Sequence, residues 1–260
     1  MTSCCLHTLI VESDLRRRML MSGGGGGGGT GRGGDKVVLA GWLQSGDWRT
    51  ARALGACHDV VVIDAEHGAI SLDQIALCVE ILAGNGCLAI VRVPFDDDAR
   101  KAFARRCLDA GAIGILFPNV TSKAQAEACI RNCYYPSAAA GGSDNRGVSG
   151  TRGFGYGGCN LDGLKFAEYA KVANDRIVVG VQLEHRTAFE LENLSDILST
   201  PGLCFTQDGP YDHSGSYLCP GSTSDPRVLA DLEKYRTACG AAGVVAGKHV
   251  VQPTVEAIAE

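Results

Sequence analysis

The fold this chain predicts is α/β, a TIM (β/α)8-type barrel, and three observations predict it. Short runs of β-branched and aliphatic residues alternate with helical patterns from residue 36 onward, which implies a parallel sheet with helices outside it. The runs are apolar throughout rather than alternating, as in Val60-Val-Val-Ile63, so both faces of each strand are covered. Polar residues collect where the runs end, the rim at which parallel α/β folds place their chemistry. An open doubly wound sheet is the competing closure. It is disfavoured because no strand leads through Gly-x-Gly-x-x-Gly into a helix.

The elements follow in order. Val37–Leu43 reads as a strand and Trp48–Leu54 as a helix; Val60–Ile63 is the next strand, and Leu72–Leu82 has apolar residues at helical spacing. Leu88–Pro94 is a strand closed by proline, and Asp97–Leu108 is a helix with acids first and arginines last, matching the helix dipole. Gly114–Pro118 is a strand, and Ser122 caps a helix that runs to Cys133. A glycine- and serine-rich stretch fills Tyr134–Asp162. Then come helix Leu164–Asn174, strand Ile177–Leu183, helix Arg186–Leu194, strand Leu203–Thr206, helix Pro226–Gly240 and strand Gly243–Val251. That makes seven β units, with the eighth strand and the terminal helices lacking. Ahead of them, residues 1–21 read as a helical segment, 22–35 as a flexible glycine-rich loop, and 36–260 as the barrel.

Composition narrows the function. A net charge of -5 leaves no basic footprint for nucleic acid. No apolar run approaches the roughly 20 residues of a membrane span, and the N-terminus lacks the basic lead of a secretory signal. The twelve cysteines are scattered rather than framed, which reads as reduced thiols of a cytoplasmic protein. Cys129 and Cys133 lie four apart in a helix but have no second pair with which to bind a metal.

The candidate chemistry sits at strand ends. Glu184 and Asp212 each close a strand, and two carboxylates sharing one rim suit a hard divalent ion such as Mg²⁺ or Mn²⁺; the competing reading pairs each with a local arginine such as Arg186. Asp64 and His67 lie three apart just past a strand, close enough for the carboxylate to orient the imidazole as a general base. Arg92 is an isolated cation in an apolar strand and requires an anionic partner. That partner is either Asp64 or Glu66, or else a bound carboxylate or enolate. Gln182 shares the face of Glu184 and could bond a substrate oxygen. His185 and His213, next to the two acids, face away from them.

Five motifs occur in one order: Ile63-Asp-Ala-Glu-His-Gly68, Val91-Arg-Val-Pro94, Tyr135-Pro136 followed by Asn145-Arg-Gly147, Val181-Gln-Leu-Glu184 and Gly209-Pro-Tyr-Asp-His-Ser-Gly215. Together they resemble the HpcH/HpaI family of class II, metal-dependent pyruvate aldolases, from about Leu15 to the C-terminus apart from the glycine insert. The resemblance implies a homo-oligomeric barrel that cleaves 4-hydroxy-2-oxo acids to pyruvate and an aldehyde. By position, Glu184 and Asp212 would hold Mg²⁺, Mn²⁺ or Co²⁺. Arg92 would face the keto oxygen, and His67, oriented by Asp64, would take the C4 hydroxyl proton. Gln182 would support the substrate, while Gly209 and Pro210 would shape its carboxylate pocket through backbone groups. The chain departs from the family pattern at Asp208, before Gly209-Pro210, and at His213 in place of a usual leucine. Oxaloacetate decarboxylation on the same site, and a shortened inactive barrel, are the alternative readings.

Overall fold

The computed structural model describes residues 38–136, 148–155 and 166–250. The expected N-terminal helix, the glycine-rich loop, the Asn145-Arg-Gly147 motif and the chain beyond 250 lie outside these residues. Seven strands, β1 (Ala40–Leu43), β2 (Val60–Asp64), β3 (Leu88–Arg92), β4 (Gly114–Phe117), β5 (Val178–Leu183), β6 (Phe205–Asp208) and β7 (Val245–Gly247), form one sheet in chain order. Every neighbouring pair is parallel. The sheet curls into an open, TIM-like barrel, and the expected fold class holds.

The strand period of two sorts the side chains into two layers. Val61, Ile63, Ile115, Val179, Val181 and Leu183 point outward and pack with the helices in the larger core. Val60, Val62, Leu88, Ile90, Leu116, Val178 and Phe205 point inward and fill the barrel. Full burial of each such side chain contributes about 1.5–3 kcal/mol, so the two layers fix the register of every strand. Gly180 is paired in register with Phe205, and a Cβ at 180 would collide with that ring. Glycine there lets the phenyl group lie across the barrel. The same parity continued one step further turns Asp64, Arg92, Gln182 and Glu184 inward at the rim.

Helices α1 (Trp48–Gly55), α2 (Leu72–Gly84), α3 (Asp97–Asp109), α4 (Lys123–Cys133) and α5 (Phe166–Arg176) follow the first four strands on the outside. Ser71 starts α2 with a capping box to Gln74, and Ser122 caps α4 through the Gln125 N–H, as its sequence predicts. Three elements differ from expectation. The single helix expected over Arg186–Leu194 is a 3-10 turn, Arg186–Phe189, and then α6 (Leu191–Leu198). The break comes at Glu190, whose backbone is extended, after the His185 side chain has capped the turn at the Thr187 N–H. Asp212 does not close a strand. β6 ends at Asp208, Pro210 starts a short helix, α7 (Pro210–Ser216), and Asp212 lies in its first turn. β7 spans three residues rather than nine. It follows α8 (Pro226–Ala242), which ends at Gly243 in the left-handed conformation.

No pairing joins β1 to β7 among the described residues. Across that seam the rings of Trp42, on β1, and His249, just past β7, stack at 5.1 Å. Among the described residues no helix is long and apolar enough to cross a membrane, and no disulfide joins the described cysteines.

Candidate active site

The rim of β2 and β3 is built first by register. Asp64 and Arg92 are direct Cα partners, and the guanidinium makes a two-pronged bridge to the carboxylate, Nε to Oδ1 at 2.9 Å and NH2 to Oδ2 at 2.7 Å. Both groups are buried. The remaining nitrogen, NH1, lies 3.2 Å from Glu66 Oε2 and 3.4 Å from Gln182 Oε1. The Trp42 ring covers the guanidinium at 4.7 Å. Burial by itself would raise the Asp64 carboxyl, but Arg92, the His67 N–H and the Gln44 amide outweigh it and hold the group below the usual carboxylate range.

This geometry revises the part expected of Asp64. Its Oδ1 accepts the backbone N–H groups of Glu66 and His67, at 3.1 and 3.2 Å, and Gln44 reaches its Oδ2 at 3.3 Å. The carboxylate therefore sets the turn that carries His67 and does not orient the imidazole. The ring lies 3.9 Å from Glu66 Oε2, with its side chain 62% exposed. The ring is left to meet a ligand from the solvent side.

Across the rim, Glu184 makes no ion pair among the described residues. Glu184 directly follows β5 and is 5% exposed. Its Oε1 accepts the Asn119 N–H at 2.7 Å, while Oε2 is buried and finds no hydrogen-bond partner among the described residues. Burial, with the nearby charges of Glu66 and Asp212, pushes its carboxyl up to about 8. Burial also raises Glu66, against the pull of Arg92. A buried carboxylate oxygen without a partner among the described residues, raised by the charges of two further acids, suits a divalent cation. Among the described residues no three His, Cys, Asp or Glu side chains are grouped to hold an ion alone. Two carboxylates from the chain, with water and substrate oxygens completing the shell, match the habit of hard ions.

At Gly209 the backbone is already bonded and there is no room for a side chain. Its N–H donates to the Leu183 carbonyl and its own carbonyl accepts from His213 N–H, so neither is open to a substrate carboxylate. A Cβ at 209 would collide with Glu184 Oε2 and crowd the Gln182 amide. Pro210 is buried at the start of α7. His213 is buried away from Glu184, in a helix and not in the strand on which its orientation was argued. Its Nε2 lies 3.2 Å from Asp231 Oδ2, and its ring stacks on Phe189 at 4.1 Å.

Sequence reasoning missed three contributors to this rim. Asn119 follows β4 with a left-handed backbone, Gln44 follows β1, and His249 follows β7 against Trp42. His249 is lowered by burial and by the charge of Arg92. Gln44 and His249 each stand just beyond a predicted strand or near its end, the same signal that marked Asp64. Nothing in the sequence pointed from Asn119 to an acid 65 residues away.

A parallel barrel with acids and one locked arginine at its C-terminal rim defines a class of lyase-type sites, and comparison with known proteins names the family. The HpcH/HpaI aldolase/citrate lyase family model matches residues 44–257, and this chain belongs to that family. It is 33% identical over 216 residues to a 4-hydroxy-2-oxovalerate aldolase of Rhodococcus jostii, covering 81% of this chain and 77% of the relative. It is 32% identical over 210 residues to a hydroxypyruvate/pyruvate aldolase of Paraburkholderia phytofirmans, covering 79% and 76%. The solved HpcH/HpaI aldolase from Desulfitobacterium hafniense superposes with a TM-score of 0.74 at 25% identity, covering 92% of this chain and 83% of that one. Aldolase relatives and the shared barrel together support lyase activity.

Proposed function

We propose that this chain is a divalent-metal-dependent aldolase that cleaves 4-hydroxy-2-oxo acids to pyruvate and an aldehyde. The observation that carries the reading is Glu184 Oε2, a buried acceptor without a partner among the described residues, which feels the charges of Glu66 and Asp212. Glu184 and Asp212 would hold Mg²⁺, Mn²⁺ or Co²⁺. Bound there, the ion supplies Lewis-acid polarisation of the carboxylate and keto oxygens of the substrate.

The chain's own residues account for the rest. Asp64 locks two nitrogens of Arg92, which holds the guanidinium in place with NH1 beside Glu66 and Gln182. As the C3–C4 bond breaks, its electron pair moves toward the carbonyl and negative charge grows on the 2-oxo oxygen. A preorganised guanidinium beside that oxygen lowers the barrier. The His67 imidazole takes the proton of the C4 hydroxyl, so that the C4 fragment leaves as an aldehyde, and a proton delivered to C3 of the remaining enolate gives pyruvate. Gln182 binds a substrate oxygen through its amide, and the missing side chain of Gly209 leaves room next to Glu184.

The test is pyruvate release from a panel of 4-hydroxy-2-oxo acids and oxaloacetate, with Mn²⁺ or with chelator, on protein whose folding is checked by circular dichroism. Metal-dependent pyruvate from a hydroxy-oxo acid supports the reading, and none from folded, Mn²⁺-supplied protein rejects it. Decarboxylation of oxaloacetate is kept as a second reading because the His67 ring is exposed and not held by Asp64. Loss of carbon dioxide needs no base at C4, so the same panel separates the two. Homo-oligomerisation belongs to the same proposal and is read by light scattering.

A further inference from the structure

We propose that Asn119 is a positioning residue for Glu184, acting through its backbone; the inference rests on the metal-site reading above. Asn119 stands two residues past β4 with φ at 49°, in the left-handed region that asparagine tolerates and β-branched residues avoid. In that conformation its N–H donates to Glu184 Oε1 at 2.7 Å. The next residue, Val120, donates its N–H to the Gln182 carbonyl at 3.1 Å. The β4–α4 turn is therefore sewn to the end of β5 at two points, one on the strand and one on the acid. With Oε1 taken, the carboxylate is held in one orientation and Oε2 is the oxygen presented to the site.

The Asn119 side chain does not explain its own presence. Its Oδ1 is buried and finds no hydrogen-bond partner among the described residues. Conformation, rather than amide chemistry, is what position 119 requires. Glycine adopts the same backbone freely, whereas valine resists it and would turn the N–H away from Glu184. Alanine lies between them and serves if valine prevents folding.

The first experiment is titration of Mn²⁺ into metal-free protein, followed calorimetrically. Asn119→Val should weaken Mn²⁺ binding about ten-fold or more, in line with the loss of a partner that orients a ligand. Asn119→Gly should stay within about two-fold of the unaltered chain, because the left-handed turn survives. The second experiment needs no metal. The Asn119 amide proton should resonate downfield in nuclear magnetic resonance spectra and move upfield in Glu184→Gln. Folded Asn119→Val and Asn119→Ala proteins that bind Mn²⁺ like the unaltered chain would overturn the proposal, and so would an Asn119 amide indifferent to Glu184→Gln. If the unaltered chain binds no Mn²⁺, the functional reading fails, and the amide shift alone decides the role of Asn119.

Discussion

The two halves of the barrel rim treat buried acids in opposite ways. On β2 and β3, Asp64 is fully buried, paired by two bonds to Arg92 and held below its ordinary range. On β5, Glu184 is nearly as buried, bonded at one oxygen only and pushed up to about 8. Residue type and depth are alike, so the partner makes the difference. A carboxylate with its own arginine is part of the frame, while one raised by burial and by the charges of Glu66 and Asp212 is, on the proposed reading, the one that takes a cation. The first half can be broken only by damage to the fold, whereas the second half can be altered with the fold intact.

The largest effect should come from Arg92→Ala. It strips Asp64 of its counter-charge in the interior and should cost about 3–5 kcal/mol of stability, together with all measurable pyruvate release. Denaturant unfolding reads the first loss and a coupled lactate dehydrogenase assay the second. Glu184→Gln should separate the two properties. Turnover should fall by about a hundred- to a thousand-fold, the scale of losing charge stabilisation at a reacting centre. The melting temperature of the metal-free protein should hold or rise, since an unpaired buried acid is removed. A sharp fall in melting temperature would mean that Glu184 belongs to the frame after all.

His67→Ala should lower aldol cleavage by about 10²–10⁴-fold, the usual range for a general base, and spare oxaloacetate decarboxylation. Its exposed ring predicts a stability change within about 0.5 kcal/mol. Parallel loss of both reactions would remove His67 from the base role. A separate test lies in pH. Glu184 holds its proton to about 8 when folded and to its ordinary value of 4.5 when unfolded. Its contribution to metal-free stability is therefore full below about 4.5 and is lost as the pH rises toward 8. Asp64 is shifted the other way, so its contribution is present above its ordinary value and is lost as the pH falls through its depressed one. Unfolding curves from pH 4 to pH 9 should show the first slope in the unaltered chain and a flatter one in Glu184→Gln.

Strand parity made much of this rim legible in advance. Asp64 and Glu184 could be placed at strand ends on one rim, and Gln182 on the face of Glu184, because the apolar runs mark where the strands stop. Asp212 was put on the wrong element because Phe205-Thr-Gln-Asp-Gly-Pro reads as a strand running on into the site. The proline instead starts a helix that the sequence reading did not contain. The role of Asp64 was misjudged for a different reason. Closeness in sequence to His67 suggested a bond to the ring, yet the register partner Arg92 claimed both oxygens and left His67 only a backbone contact.

Sequence alone determined the alternation of elements, the parallel barrel and the rim on which its acids gather. These follow from local periodicity and from apolar runs that must be covered on both faces. Tertiary structure decided which acid is neutralised and which is left open, why position 209 admits no side chain, and how the Asn119 N–H comes to hold Glu184. Each of those depends on groups that are distant along the chain and brought together only by strand register. Burial and charge act over distances in space, and the order of residues does not contain those distances.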